Sequence, residues 1–168
     1  VATRAYIGLG SNLGDSPAIL IEALEDLDTS TGIELKRVSA NYRTAPVGGP
    51  SDQPDFQNAA AELVTELEPR ALLARLHEIE RAHGRRRELE QRWGPRTLDL
   101  DLLVYGELEL TDEELELPHP RLEQRRFVLE PLAEIAPRLV LPCSGRTVSE
   151  ALAALLRDEL AAGAVPRG

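Results

Sequence analysis

Two aspartates one residue apart, Asp99 and Asp101, lie in the run Leu98-Asp99-Leu100-Asp101-Leu102. Strand side chains alternate between faces, so this run predicts a strand with its leucines on one side and both carboxylates on the other. Adjacent carboxylates repel unless a cation lies between them. Mg²⁺ takes oxygen ligands, commonly one or two carboxylates together with substrate phosphates. Just upstream, Arg92-Trp93-Gly94-Pro95-Arg96 holds the only tryptophan, a Gly-Pro turn and two arginines. Arginines can grip phosphate oxygens bidentately. An isolated Asp-x-Asp reads more simply as a solvated acidic strand face; the neighbouring arginines favour a metal-phosphate site.

The distribution of charge agrees with this. The 168 residues carry a net charge of −10, which argues against general nucleic-acid binding. Yet Arg81, Arg85, Arg86, Arg87, Arg92 and Arg96 face only Glu88 and Glu90 within their stretch. A basic island on an acidic chain suits a local polyanion such as a nucleoside triphosphate. A solvated loop is the alternative, and both can hold.

Apolar residues make up 42% of the chain, enough for one domain with one core. The expected domain spans residues 1–160, with a Gly/Ala/Pro-rich frayed tail at 161–168. No run approaches a membrane span, and no signal-peptide pattern opens the sequence. The single cysteine, Cys143, fits a reducing cytoplasm and reads as an inert thiol.

The elements that must carry the site follow from periodicity. Ala5 to Gly10 reads as a short strand, followed by a polar loop at Ser11-Asn12-Leu13-Gly14-Asp15. Ser16-Pro17 resembles an N-cap with proline at the first helical position, and Leu20, Ala23, Leu24 and Leu27 predict a helix over 17–28. Gly8, Gly10 and Gly14 lack the spacing of a nucleotide-binding glycine loop. Residues 33–44 read as one long strand with a bulge, because apolar parity switches between Leu35 and Val38. A Pro/Gly-rich loop at 44–55 leads to a strand over 56–66. Pro69 opens a second helix that Gly84 can close. On it His77 and Glu80 are neighbours at i, i+3, most simply a surface pair. Gly106 marks a hairpin turn, Leu108 to Leu117 is acidic and irregular, and helices are expected over 127–135 and 148–160. His119, between Pro118 and Pro120, sits in a rigid extended segment; a surface histidine is the simple reading.

The run from Arg92 to Asp101 resembles the signature of the 6-hydroxymethyl-7,8-dihydropterin pyrophosphokinase family. Further resemblances lie in Gly10-Ser11-Asn12-Leu13-Gly14-Asp15, in Tyr42-Arg43-Thr44, in Gln53-Pro54-Asp55-Phe56 with Asn58-Ala59-Ala60, and in Leu117-Pro118-His119-Pro120 with Arg125 and Phe127. The resemblance runs from residue 6 to about residue 140.

The resemblance implies transfer of pyrophosphate from ATP to the hydroxymethylpterin, releasing AMP; the expected enzyme is a cytoplasmic monomer. Asp99 and Asp101 would hold two Mg²⁺ ions, and Arg87, Arg92 and Arg96 would join them as catalytic residues. Phe56 and Phe127 would sandwich the pterin, with Asn58, Thr44 and the backbone near Val47 hydrogen-bonding it. Many members carry Tyr at the position of Phe56, so stacking is kept here and a hydroxyl contact is not. His77, Glu80, Arg85, Trp93, Leu102, His119 and Arg125 would contact the nucleotide. Residues 85–92 resemble the family's mobile catalytic loop. Glu114 and Glu116 depart from the pattern, standing where members often carry Arg and Thr that seat ATP.

The order of elements suits a ferredoxin-like α+β sandwich, an antiparallel sheet with helices packed on it, and the resemblance implies the same. The rival from another class is a ligand-binding regulatory module on that fold, which needs neither the Asp pair nor the arginines. A nucleic-acid-binding module of the same fold fits the acidic charge and scarce aromatics poorly.

Overall fold

The computed structural model describes residues 2–12, 14–45, 53–84 and 97–163. The elements are β1 (Thr3–Ser11), α1 (Ser16–Thr29), β2 (Ile33–Val38), β3 (Tyr42–Thr44), β4 (Phe56–Thr65), α2 (Pro69–Ala82), β5 (Asp99–Tyr105), β6 (Leu110–Thr111), β7 (Glu116–Leu117), α3 (Arg126–Ile135) and α4 (Val148–Ala161). A 3-10 turn at Leu122–Gln124 precedes α3. The main sheet runs β2-β4-β1-β5, with β3 pairing β4 beyond the end of β2, and every pairing is antiparallel. This is the expected ferredoxin-like arrangement, with β5 at one edge.

Both sheet faces are covered, one completely and one in part. On the first face α1 and α2 pack against Ile7, Leu9, Leu63, Leu98, Leu100 and Leu102, all buried. On the second, α3 and α4 cover Tyr6, Ala60, Leu103 and Val104. The switch in β5 is a bulge. Tyr6 pairs Val104 while Ile7 pairs Leu102, so Leu103 is the extra residue. An extra residue inverts parity, which lets Leu103 and Val104 both face α3. The aspartates lie on the second face too, beyond the end that α3 and α4 cover.

Three local expectations are corrected. Residues 33–44 form two strands, since Ser39–Asn41 leave the ladder; Ser39 exchanges bonds with Ala60, its N–H donating to the Ala60 carbonyl and its Oγ accepting the Ala60 N–H. The expected bulge is present, between Leu35 and Arg37. The N-cap of α1 is Asp15, not Ser16, because the Asp15 carboxylate accepts the Ala18 N–H. The acidic 108–117 segment pairs with itself as the β6-β7 ribbon. At the far end, a capping box starts α4: Thr147 Oγ1 accepts the Glu150 N–H and Glu150 returns the bond to the Thr147 N–H. Among the described residues no helix is long and apolar enough to cross a membrane. Of the expected tail, residues 164–168 lie outside the described residues.

Candidate active site

The site begins with register. Across β4, β1 and β5, Asn58 pairs Gly10, which pairs Asp99. The next row on the same face is Ala60, Gly8 and Asp101. Both aspartates are half-buried on the uncovered part of the second face. The glycines open the floor between them and β4. A Cβ at Gly10 would stand 3.3 Å from Asn58 Oδ1 and 3.9 Å from Asp99 Cβ. Any larger residue there would fill the groove.

Two cavities border the aspartates. The first has a volume of about 410 Å³ and brings together Thr44, Phe56, Asn58, Asp99, Arg125 and Phe127. Strand pairing sets Thr44 opposite Phe56, and Asn58 Nδ2 donates to Thr44 Oγ1 at 2.7 Å. Phe127 arrives from the first turn of α3, and the Arg125 guanidinium lies 5.5 Å from its ring centroid. A guanidinium at that distance from an aromatic ring is attracted by the ring's quadrupole.

The second cavity, about 300 Å³, lies beyond edge strand β5 and unites His77, Asp101, Leu102 and His119 with the acidic ribbon. Asp99 lines one cavity and Asp101 the other. The segment at 117–119 is fastened to the strand edge, the His119 N–H donating to the Leu103 carbonyl at 2.9 Å. His119 is half-buried rather than a surface side chain. Burial, and next the Arg125 charge, hold its pKa below the ordinary histidine value, against an opposing pull from Asp99. Its Nδ1 accepts the Arg121 N–H, so the neutral ring carries its proton on Nε2, where it can donate. Glu114 and Glu116 line this cavity as well. Arg70 of α2 offsets part of that charge by pairing with Asp112 and, at 3.8 Å, with Glu114.

Several expected residues stand differently. Glu80 is not half of a surface pair with His77: it is 1% exposed, and its Oε2 accepts the Leu100 N–H at 2.8 Å. It supports the strand between the aspartates rather than presenting a free carboxylate to solvent. Leu102 borders the second cavity, but its side chain is 3% exposed and belongs to the core. Val47, Arg85, Arg87, Arg92, Trp93 and Arg96 lie outside the described residues. Cys143 is exposed, and its Sγ donates to Glu109, which raises its pKa and favours the unreactive thiol.

The sequence reading passed over a buried polar hub. Ser11 and Asn12 read as part of a polar loop; they are 0% and 3% exposed. Ser11 Oγ donates to the Thr97 carbonyl at 2.5 Å, tying the end of β1 to the entry of β5. Asn12 Nδ2 donates to the Pro54 carbonyl at 2.9 Å, fixing the segment that leads to Phe56. Arg121, Gln124, Arg126 and Glu159 also line the first cavity without having been singled out. The Arg125-Arg126 doublet before Phe127 was the available signal for one of them.

The donor set suits a hard divalent cation. Two carboxylates project on one face beside a glycine floor, and among the described residues no Cys/His cluster competes for a softer metal.

Comparison with known proteins agrees with this geometry. A family model described as 7,8-dihydro-6-hydroxymethylpterin-pyrophosphokinase matches residues 6–137. The chain is 52% identical over 153 residues to a 2-amino-4-hydroxy-6-hydroxymethyldihydropteridine pyrophosphokinase of Methylorubrum extorquens, covering 91% of this chain and 94% of that protein. It is 47% identical over 131 residues to the protein of the same name in Bacillus subtilis, covering 78% and 77%. In three dimensions it resembles the crystal structure of Plasmodium falciparum HPPK-DHPS with pterin and p-hydroxybenzoate, with a TM-score of 0.75 at 13% identity. That likeness concerns the fold, and covers 96% of this chain but only 44% of the other. Matched by the family model over most of its length, and aligned almost end to end with a relative of the same name, the chain belongs to the 7,8-dihydro-6-hydroxymethylpterin-pyrophosphokinase family.

Proposed function

We propose that the two cavities beside Asp99 and Asp101 are the pterin and nucleotide sites of this pyrophosphokinase, which transfers pyrophosphate from ATP to 6-hydroxymethyl-7,8-dihydropterin. The carrying observation is that the two aspartates share one sheet face while lining separate cavities. A group bound in each cavity would meet its partner over the same pair of carboxylates.

In this reading Phe56 and Phe127 hold the flat pterin ring, and Asn58 and Thr44 bond its edge. The triphosphate enters from the second cavity past His77 and His119, whose Nε2–H meets a phosphate oxygen. Arg125 reaches the phosphates from above Phe127. The pterin hydroxymethyl oxygen forms a bond to the β-phosphorus. The bond from that phosphorus to the α,β-bridging oxygen breaks, and AMP leaves with that oxygen. Asp99 and Asp101 are the residues to hold Mg²⁺, and two ions fit a pair of carboxylates shared between two substrates. Bound there, Mg²⁺ would neutralise phosphate charge and lower the pKa of a coordinated hydroxyl. Asp99 or Asp101 is the acceptor assigned to the hydroxyl proton. Arg87, Arg92 and Arg96 are assigned from the signature, to stabilise charge moving towards AMP.

The test is direct. Protein, ATP, Mg²⁺ and the hydroxymethyldihydropterin are mixed, and AMP and the pterin diphosphate are measured. Stoichiometric appearance of both supports the reading. Pterin binding without Mg²⁺ dependence and without AMP would favour the ligand-binding module instead.

A further inference from the structure

The segment 119–125 passes from one cavity to the other. His119 and Pro120 line the second cavity, and Arg121, Gln124 and Arg125 line the first. Its backbone is held in place. The Arg121 N–H donates to His119 Nδ1 at 3.3 Å, and the Arg121 carbonyl accepts the Gln124 N–H at 3.0 Å. Leu122, between them, is buried in the core. The Arg121 side chain therefore starts from a fixed point, and the residue is exposed.

Three arginines line the first cavity, and they differ in what surrounds them. Arg126 pairs with Glu130 and Glu159. Arg125 lies over the Phe127 ring. Among the described residues no carboxylate pairs with Arg121. A guanidinium of this kind has no carboxylate to give up when an anion binds, and its fork matches phosphate oxygens. Its charge also reaches the residue that faces the other cavity. Burial first, then the Arg125 charge, and last the Arg121 charge lower the His119 pKa, against the pull of Asp99.

The transfer changes what the first cavity holds. The hydroxymethylpterin enters it uncharged, and the molecule there afterwards carries the diphosphate. A cation that lines this cavity and not the second gains its anionic partner as the bond from oxygen to phosphorus forms.

We propose that Arg121 is a binding residue for the transferred diphosphate, and that it distinguishes the pterin diphosphate from the uncharged pterin. This rests on reading the first cavity as the pterin site.

Calorimetric titration of the full chain at fixed Mg²⁺ tests this, with the hydroxymethyldihydropterin and, separately, its diphosphate as ligands. Arg121→Met should weaken binding of the diphosphate about tenfold, and binding of the uncharged pterin less than about twofold. Arg121→Lys keeps the charge but not the fork, and should recover part of the loss. Raising the salt concentration should narrow the gap between wild type and Arg121→Met, because salt screens an exposed charge pair. Equal losses for both ligands would overturn the proposal. So would an unchanged affinity for the diphosphate, which would leave Arg121 a solvated residue at the rim. If thermal melting shows Arg121→Met to be unfolded, Arg121→Gln is measured in its place, and the same outcomes decide. A wild-type chain that binds neither ligand would overturn the pterin reading and this inference together. A wild type that binds both, with equal losses in the variant, would overturn the inference alone.

Discussion

Glu80 Oε2 accepts the Leu100 N–H at 2.8 Å, so a buried carboxylate on α2 holds the backbone N–H of the residue between Asp99 and Asp101. Among the described residues β5 is an edge strand, with no neighbouring main-sheet strand on its outer side to fix its pleat. The helix beneath supplies what a further strand would. The spacing of the two aspartates thus depends on a residue that reads, in sequence, as half of a surface pair.

Glu80→Ala should destabilise the fold by roughly 1–3 kcal/mol, the cost of leaving a buried N–H without an acceptor. It should also raise the Mg²⁺ concentration needed for half-maximal turnover. Glu80→Gln keeps an acceptor oxygen and should recover much of both. Denaturant titration and Mg²⁺-dependent kinetics read the two effects separately. Identical Mg²⁺ dependence in wild type and Glu80→Ala would remove the residue from the metal site's support.

Asp99→Ala and Asp101→Ala should each lower turnover at least about 100-fold while the fold persists, since each removes a hard oxygen ligand needed for charge neutralisation. Both side chains are half-buried at the rim of a cavity, so neither truncation opens a hole in the core. Calorimetric Mg²⁺ titration with a non-hydrolysable ATP analogue provides a readout besides activity. Near-normal AMP production by both variants would defeat the metal assignment.

Phe56→Ala and Phe127→Ala should weaken the pterin more than an ATP analogue. Each loses an aromatic stack worth roughly 0.5–1.5 kcal/mol beyond the area it buries. Both rings are half-buried, so a general folding defect is not the expected outcome. Equal losses for the two ligands, measured by fluorescence titration, would count against an aromatic clamp.

Another pair joins the elements next to those two rings. Tyr42 Oη donates to Glu134 Oε1 at 2.6 Å, and Glu134 Oε2 accepts the Ala40 N–H at 3.0 Å. Tyr42 belongs to β3, whose Thr44 pairs Phe56, and Glu134 belongs to α3, which begins beside Phe127. The bond to Glu134, then burial, pushes the Tyr42 pKa from 10.0 to about 12. Because the folded-state value is raised, the tyrosine's contribution to stability is fully present below pH 10 and is lost as pH rises towards 12. Tyr42→Phe should therefore cost on the order of 1 kcal/mol at neutral pH and narrow its deficit to wild type across that alkaline window. It should also raise KM for the pterin more than KM for ATP. A pH-independent deficit, seen in melts from pH 7 to pH 11.5, would show that the hydroxyl bond is not its source.

The sequence by itself determined the local parts of this protein. The Leu/Asp alternation of 98–102 put three leucines in the core and two carboxylates on the other face, because a pleated strand allows nothing else. Proline and helical spacing located α1 and α2, and the signature residues with Phe56, Asn58 and Phe127 pointed to the chemistry. Tertiary structure decided everything that depends on which segments meet. The Asn58–Gly10–Asp99 row joins three strands, so the value of Gly10 as floor appears only once β1 lies between β4 and β5. Burial of Ser11, Asn12 and Glu80 follows from partners 20 to 86 residues away, and a polar side chain looks the same in sequence whether water or a distant backbone satisfies it. Arg126 and Glu159 are 33 positions apart with no shared periodicity, and only the packing of α4 against α3 puts both on the wall of one cavity.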